Sequence, residues 1–126
     1  MNTQTKLMRN PYATHTDYSD FKGLIPENPN FVPSNVDGIC ERKGKFLVME
    51  WKRQGEKVSK GQQILLQSLA SLPNFMVVII YGDTDSETRI SKFYSVQPSG
   101  SCILAGNGIK MFKEYYRTWY SWANGK

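Results

Sequence analysis

At 126 residues, 40% hydrophobic and 13% aromatic, the chain suits one folded domain with a modest core. Two cysteines outside any CxxC pattern and a single histidine exclude a disulfide framework and a Cys/His zinc site. The formal net charge of +5 favours polyanionic partners.

Residues 1–30 read as an irregular arm, polar and interrupted by Pro11, Pro26 and Pro29. Tyr12, Tyr18, Phe21, Leu24 and Ile25 are available to pack it onto the domain. His15 is a lone histidine in this arm and carries no assigned role. Residues 1–10 lack the apolar stretch of a signal peptide, and the longest apolar run, residues 75–81, is too short to cross a bilayer. An intracellular setting without membrane contact is expected.

Residues 31–126 read as the domain. Residues 35–41 and 46–52 form two strands around Arg42, Lys43, Gly44 and Lys45, a polar segment with a glycine where a hairpin turn needs one. Pairing Arg42 with Lys45 opposes Glu41 to Phe46, Ile39 to Val48 and Asp37 to Glu50. The period of two then puts Asp37, Glu50 and Lys52 on one face and Cys40 and Trp51 on the other, towards the core. Opposed carboxylates destabilise a sheet unless a cation compensates. Lys52 is one such cation, which gives a solvent-facing acidic pair bridged by a lysine. A divalent metal on oxygen ligands is the other, and with Lys52 nearby it gives the chemistry of metal-assisted phosphodiester hydrolysis. Spacing alone weighs the two evenly. Glu41 lies too far along the strand to be a ligand and is expected to pair with a Lys or Arg.

A helix follows, with Ser59 as N-cap and Gln62 completing a capping box. Ile64, Leu65, Leu69 and Leu72 form its apolar stripe, and Pro73 and Asn74 end it. Residues 75–81 read as a strand buried on both faces, joined to the previous one by a right-handed β-α-β crossover. Residues 82–86 read as a turn containing Asp83 and Asp85, residues 89–96 as a weaker strand, and residues 98–101 as a loop. Residues 109–123 form a final helix behind Asn107 as N-cap. Phe112, Tyr116 and Trp119 or Tyr120 make its packing stripe, while Lys110, Lys113 and Arg117 face solvent or phosphate. Two further basic clusters, Arg42, Lys43 and Lys45 at the turn and Arg53, Lys57 and Lys60 after Lys52, are expected to flank the acidic pair and meet nucleic-acid phosphates.

Asp37, preceded by Pro33-Ser34-Asn35-Val36 and followed about a dozen residues later by Glu50-Trp51-Lys52, resembles the PD-(D/E)XK nuclease superfamily. The stretch from Lys52 to Gln62, with a basic residue, a Gly, a Ser and a Gln leading into a helix, resembles VRR-NUC nucleases. The resemblance covers roughly residues 33–81. It implies an α/β, restriction-endonuclease-like mixed sheet made of the β-hairpin, the helix, the buried strand, a further strand and a C-terminal helix. It implies Mg²⁺ or Mn²⁺ held by Asp37, Glu50 and the main-chain carbonyl of Trp51. Lys52 then orients the attacking water, and Gln62 assists. The resemblance further implies DNA as substrate, branched or structured, and a compact phage-type enzyme, which if phage-encoded would act in the cytoplasm of a host cell. A domain this small can hardly enclose a duplex, so a homodimer is expected. The acidic residue that such nucleases often add from a preceding helix has no clear counterpart here, and Asp17, Asp20 and Glu27 stand as candidates. Two alternatives keep the fold without the chemistry: a non-catalytic nucleic-acid-binding module, and a phage accessory protein acting through its aromatic last helix.

Overall fold

The computed structural model describes residues 16–125, so Tyr12 and His15 lie outside the described residues. In chain order the elements are β1 (Gly38–Arg42), β2 (Lys45–Lys52), α1 (Lys60–Ala70), β3 (Phe75–Asp83), β4 (Arg89–Val96), β5 (Cys102–Asn107) and α2 (Gly108–Ala123). The strands form one five-stranded sheet in the order β1-β2-β3-β4-β5. Only β2 and β3 are parallel, and the other neighbours are antiparallel. The parallel pair needs a crossover, and α1 supplies it. The class is therefore α/β with a mixed sheet, and β2 and β3 sit near its middle.

The hairpin has the expected register, with Arg42 opposite Lys45, Glu41 opposite Phe46 and Ile39 opposite Val48. Its two central turn residues, Lys43 and Gly44, have φ of 52° and 80°, the sense of twist that matches the flanking strands. Among the described residues Glu41 takes up no ion pair. Its carboxylate accepts the Gly44 N–H at 2.8 Å, because that donor is fixed three residues away while a lysine would lose rotamer freedom to reach it. The first strand is shorter than expected: it begins at Gly38, so residues 35–37 lie before it.

The helices cover opposite faces. Leu47, Val78, Ile80 and Phe93 pack under α2 with Phe112, Trp119 and Ala123. Val48, Val77, Ile79 and Val96 pack under α1 with Leu66 and Ala70. Each large aliphatic or aromatic side chain buried this way contributes roughly 1.5–3 kcal/mol. Helix α1 is rotated from its expected stripe, while α2 buries Phe112 and Trp119 as expected but not Tyr116. In α1, Leu66 and Ala70 are buried while Ile64 and Leu72 are 57% and 45% exposed. Gln62, Leu66 and Ala70 recur every four residues and share one face, so the polar Gln62 sets the phase of the helix. In α2, Phe112, Trp119 and Ala123 are buried, with Tyr115 packed against them, and Tyr116 and Tyr120 are exposed. Asn107 is the N-cap residue of α2, but its side chain makes no capping bond.

Two further expectations fail. Residues 102–107 form strand β5, an element the sequence did not signal. The described part of the arm does not pack down either: Phe21, Leu24 and Ile25 are 50%, 63% and 40% exposed, and its regular structure among the described residues is one short 3-10 turn, Ser19–Phe21. No helix among the described residues is long and apolar enough to cross a membrane.

Strands β3 and β4 change register between Tyr81 and Gly82. A Cβ at Gly82 would collide with the main-chain carbonyl of Arg89. At Gly61, in the first turn of α1, a Cβ meets nothing within 4 Å. Gly82→Ala is therefore expected to destabilise the fold by displacing backbone, while Gly61→Ala gains about 0.4–1 kcal/mol. Chemical denaturation of the two variants checks this pair of opposite signs.

Candidate active site

The site is built on β2. Glu50 and Lys52 point to the α1 side and are only 5% and 7% exposed. Burying a charge is costly unless it is paired and hydrogen-bonded. Both are. Gln62, at the start of α1, donates its amide N–H to Glu50 Oε2 at 2.8 Å. Lys52 Nζ donates to the amide oxygen of the same Gln62 at 2.7 Å. Lys52 Nζ also lies 3.8 Å from Glu50 Oε2 and 3.8 Å from Glu56 Oε2. Only one orientation of the Gln62 amide works, since the reverse would set its NH₂ against an ammonium and its oxygen against a carboxylate.

Ser59 fixes where Gln62 can reach. The Gln62 N–H donates to Ser59 Oγ at 3.2 Å, and the Ser59 N–H lies 3.5 Å from Gln62 Oε1. The capping box and the contact with Glu50 and Lys52 are thus held at once, by one side chain. The capping half is the weaker, because 3.5 Å is long for an N–H to oxygen bond.

Asp37 lies where β1 ends. Its Oδ2 accepts the Trp51 N–H at 2.8 Å. Successive residues of a strand send their main-chain groups to alternate edges. Phe46 donates its N–H to Asn74, just before β3, so even-numbered residues of β2 face β3 and odd-numbered ones face β1. Trp51 is the first odd-numbered residue beyond the end of β1. Its carbonyl therefore shares the edge on which Asp37 sits. Trp51's ring packs on the opposite, α2 face, and Cys40 packs there too, 3.6 Å from the Tyr116 hydroxyl.

Burial pushes the Glu50 carboxyl up to about 7, helped by the charge of Asp37 and a hydrogen bond with it, and opposed by Lys52 and Gln62. The two side chains are thus close enough to hydrogen-bond, in line with the hairpin register carried one pair beyond Gly38 and Met49. Carboxyl groups opposed in this way favour a cation nearby. The neighbouring donors, two carboxylates and a main-chain carbonyl, are all oxygens and fit a hard cation such as Mg²⁺ or Mn²⁺. Among the described residues no three His, Cys, Asp or Glu side chains converge as a metal-holding group. A cation here would have two carboxylates, Asp37 and Glu50, and the nearby Trp51 carbonyl to draw on, fewer protein ligands than a closed site and in keeping with the water-rich coordination of Mg²⁺.

The other candidate residues divide. Arg53, Lys57 and Lys60 lie beside the site and are exposed. Arg53 is already paired with Asp85, at 2.9 and 3.0 Å, which ties the link after β2 to the loop after β3. Asp85 in turn donates its N–H to Asp83, so these two acids are turn residues, as expected. Arg42, Lys43 and Lys45 do not flank the site. They stand at the other end of the hairpin, and the five residues from Lys45 to Glu50 span about 17 Å. Arg42 bonds Asn124 and lies over Tyr120, and Lys45 lies over Trp122. Asp17 accepts the Ser19 N–H, and with Asp20 and Glu27 it belongs to the exposed arm. The third carboxylate near the site is Glu56, which the sequence analysis missed. A turn closed by Glu56 N–H to Arg53 O brings it back to Lys52, and Gly55 with φ of 82° was the readable signal. A cavity of about 450 Å³ opens beside Arg53, Asp83 and Arg89. Its arginines already face Asp85 and Glu87, so it offers no uncompensated positive charge.

No family model matches the chain, and neither a curated protein nor a solved structure matches it.

Glu50 holds its proton more tightly folded, at about 7, than at its ordinary 4.5. Folding therefore takes up a proton between those values, and stability falls as pH rises through that window. Glu50→Gln keeps the hydrogen-bonding shape and removes the charge. In EDTA, the wild type is expected to melt lower at pH 8 than at pH 5, and Glu50→Gln to be nearly flat and higher-melting at pH 8. A wild-type melting temperature independent of pH contradicts the raised Glu50 carboxyl.

Proposed function

We propose that this chain is a Mg²⁺- or Mn²⁺-dependent deoxyribonuclease of the restriction-endonuclease-like fold, hydrolysing phosphodiester bonds. One observation carries the reading: a buried Glu50–Gln62–Lys52 network beside Asp37, at the point where β1 stops and leaves the edge of β2. The order β1-β2-α1-β3 with a parallel β2/β3 pair supports the finer fold.

Asp37, Glu50 and the Trp51 carbonyl would hold the cation, which when bound supplies Lewis acidity and a more acidic water. The chain's own residues do the rest. Asp37 is oriented by the Trp51 N–H, and Glu50 by Gln62. Lys52 has three donor hydrogens. Gln62 takes one, and the ammonium can turn another towards the phosphate oxygen on which charge builds in the transition state. Exposed Lys57 and Lys60 meet the DNA backbone on one side. The resemblance alone extends the proposal to branched or structured DNA, a homodimer and the cytoplasm of a host cell.

A second reading is a DNA-binding module that does not cut. The closure of the network favours it, since Lys52 is already held by Gln62, Glu50 and Glu56. Incubation with duplex, single-stranded and four-way-junction DNA, with and without Mn²⁺, separates the two. Cleavage that needs the metal supports the first reading. Salt-dependent binding without cleavage of any substrate supports the second.

Two outcomes follow for variants. Lys52→Ala is expected to abolish single-turnover cleavage while leaving most DNA affinity. Lys57→Ala with Lys60→Ala should instead weaken binding and flatten its salt dependence, by roughly 0.9 in log–log slope for each lost duplex phosphate contact. Normal cleavage by Lys52→Ala would sink the nuclease reading. Mn²⁺ should also raise the melting temperature of the wild type, because a ligand that binds only the folded state stabilises it. Asp37→Asn keeps an acceptor for the Trp51 N–H but should lose most of that Mn²⁺ response, which differential scanning fluorimetry reads directly.

A further inference from the structure

The site extends across the sheet. Directly opposed residues on neighbouring strands point to the same face. Lys52 is opposite Tyr81, Tyr81 opposite Lys92, and Lys92 opposite Asn107. In the adjacent row, Glu50 is opposite Ile79, Ile79 opposite Tyr94, and Tyr94 opposite Leu104. Two aromatic rings and a lysine thus share a face with the candidate site, Tyr81 one strand away at about 5 Å and Tyr94 and Lys92 two strands away at about 10 Å.

Helix α1 covers this face over Val48, Val77, Ile79 and Val96 and leaves the far end open. There Lys92 is exposed, Leu104 is 52% exposed, and Tyr81 and Tyr94 are half-buried. The two rings meet edge to face, with centroids 5.9 Å apart and planes at 83°. The register shift beside Tyr81 twists β4 at this point, a feature over-represented next to active sites.

We infer that Tyr81, Tyr94 and Lys92 form a platform for an unpaired stretch of the DNA strand, with bases against the rings and backbone against Lys92. The inference rests on the nuclease reading and specifies its substrate. Aromatic side chains take bases by stacking, which is tolerant of sequence but requires the base to be out of its pair. A lysine on the same face meets the phosphates between them, so the chemistry fits single-stranded DNA better than an intact duplex. Continuity with Lys52 and Glu50 places the unpaired stretch next to the bond to be cut.

The test separates binding from cutting. In EDTA, the affinity of the full chain for a fluorescent single-stranded oligonucleotide and for its duplex is measured by anisotropy across a salt series. Tyr94→Leu should lower the ratio of single-strand to duplex affinity by about tenfold, the order of one lost stacking contact. Tyr94→Phe keeps the ring and should restore the ratio. Lys92→Ala changes an exposed side chain with little risk to folding, and should reduce the single-strand salt slope by about 0.7. With Mn²⁺, both Tyr94→Leu and Lys92→Ala should lose more activity on a flap substrate than on a duplex. If a folded Tyr94→Leu and Lys92→Ala bind and cut single-stranded DNA as the wild type does, the platform is wrong and the nuclease reading stands. If the wild type neither binds nor cuts DNA, both are overturned.

Discussion

Gln62 holds a buried carboxylate with its amide nitrogen and a buried ammonium with its amide oxygen, and the rest of the site depends on that one side chain. Its position is over-determined. Ser59 caps the helix through the Gln62 N–H, so the first turn of α1 can only begin where Gln62 faces β2. The parallel pairing of β2 with β3 brings α1 back across the sheet at this place. Leu66 and Ala70, one and two turns on, bury the same face against Val77 and Ile79. Local capping, crossover topology and core packing therefore agree on one rotation of the helix, and that rotation satisfies the charges.

The division of the sheet into two faces separates stability from chemistry. Under α2 the contacts are apolar and aromatic, with Phe93 at the centre of edge-to-face contacts with Phe112 and Tyr115. Under α1 the aliphatic packing stops at Ile79 and Val96, and polar groups take over along β2. The end of β1 at Gly38 leaves one edge of β2 to the carboxylate of Asp37 rather than to another strand. At this point β2 is paired with β3 along one edge and meets the Asp37 carboxylate along the other.

What was legible in the sequence was legible for local reasons. A two-residue turn between alternating strands leaves one register, so the meeting of Asp37 and Glu50 followed from the position of Gly44. The Ser59 and Gln62 spacing announced the helix start, and the unbroken apolar run from Phe75 announced a strand buried on both sides. The failures come from non-local causes. Cys-Ile-Leu-Ala-Gly-Asn is short and lacks charges or alternation, and it becomes a strand only because β4 offers it an edge. Ile64 and Leu72 look like core by period, yet the helix turns them to solvent because Gln62 must face inward. The hairpin lysines seemed close to the acidic pair in sequence, but an extended strand separates them. The aromatics of α2 were readable as a stripe, and their phase waited on which residues met Phe93.

Burying Glu50 and Lys52 does not by itself stabilise the fold. In other proteins, replacing a buried ion pair by apolar residues of similar volume is often neutral or stabilising, by roughly 1–4 kcal/mol. Such a replacement would be easy here, since Val48 lies on the same face of β2 and is fully buried, and aliphatic residues at positions 50 and 52 would continue its packing. The opposed Asp37 adds further cost to a charged Glu50, because both its charge and its hydrogen bond raise the Glu50 carboxyl towards neutrality. A chain selected only for folding gains nothing from this arrangement. A chain that must hold a cation at Asp37 and Glu50 and keep an ammonium beside it needs all of it, and needs Gln62 to hold the two charges in place when no cation is bound.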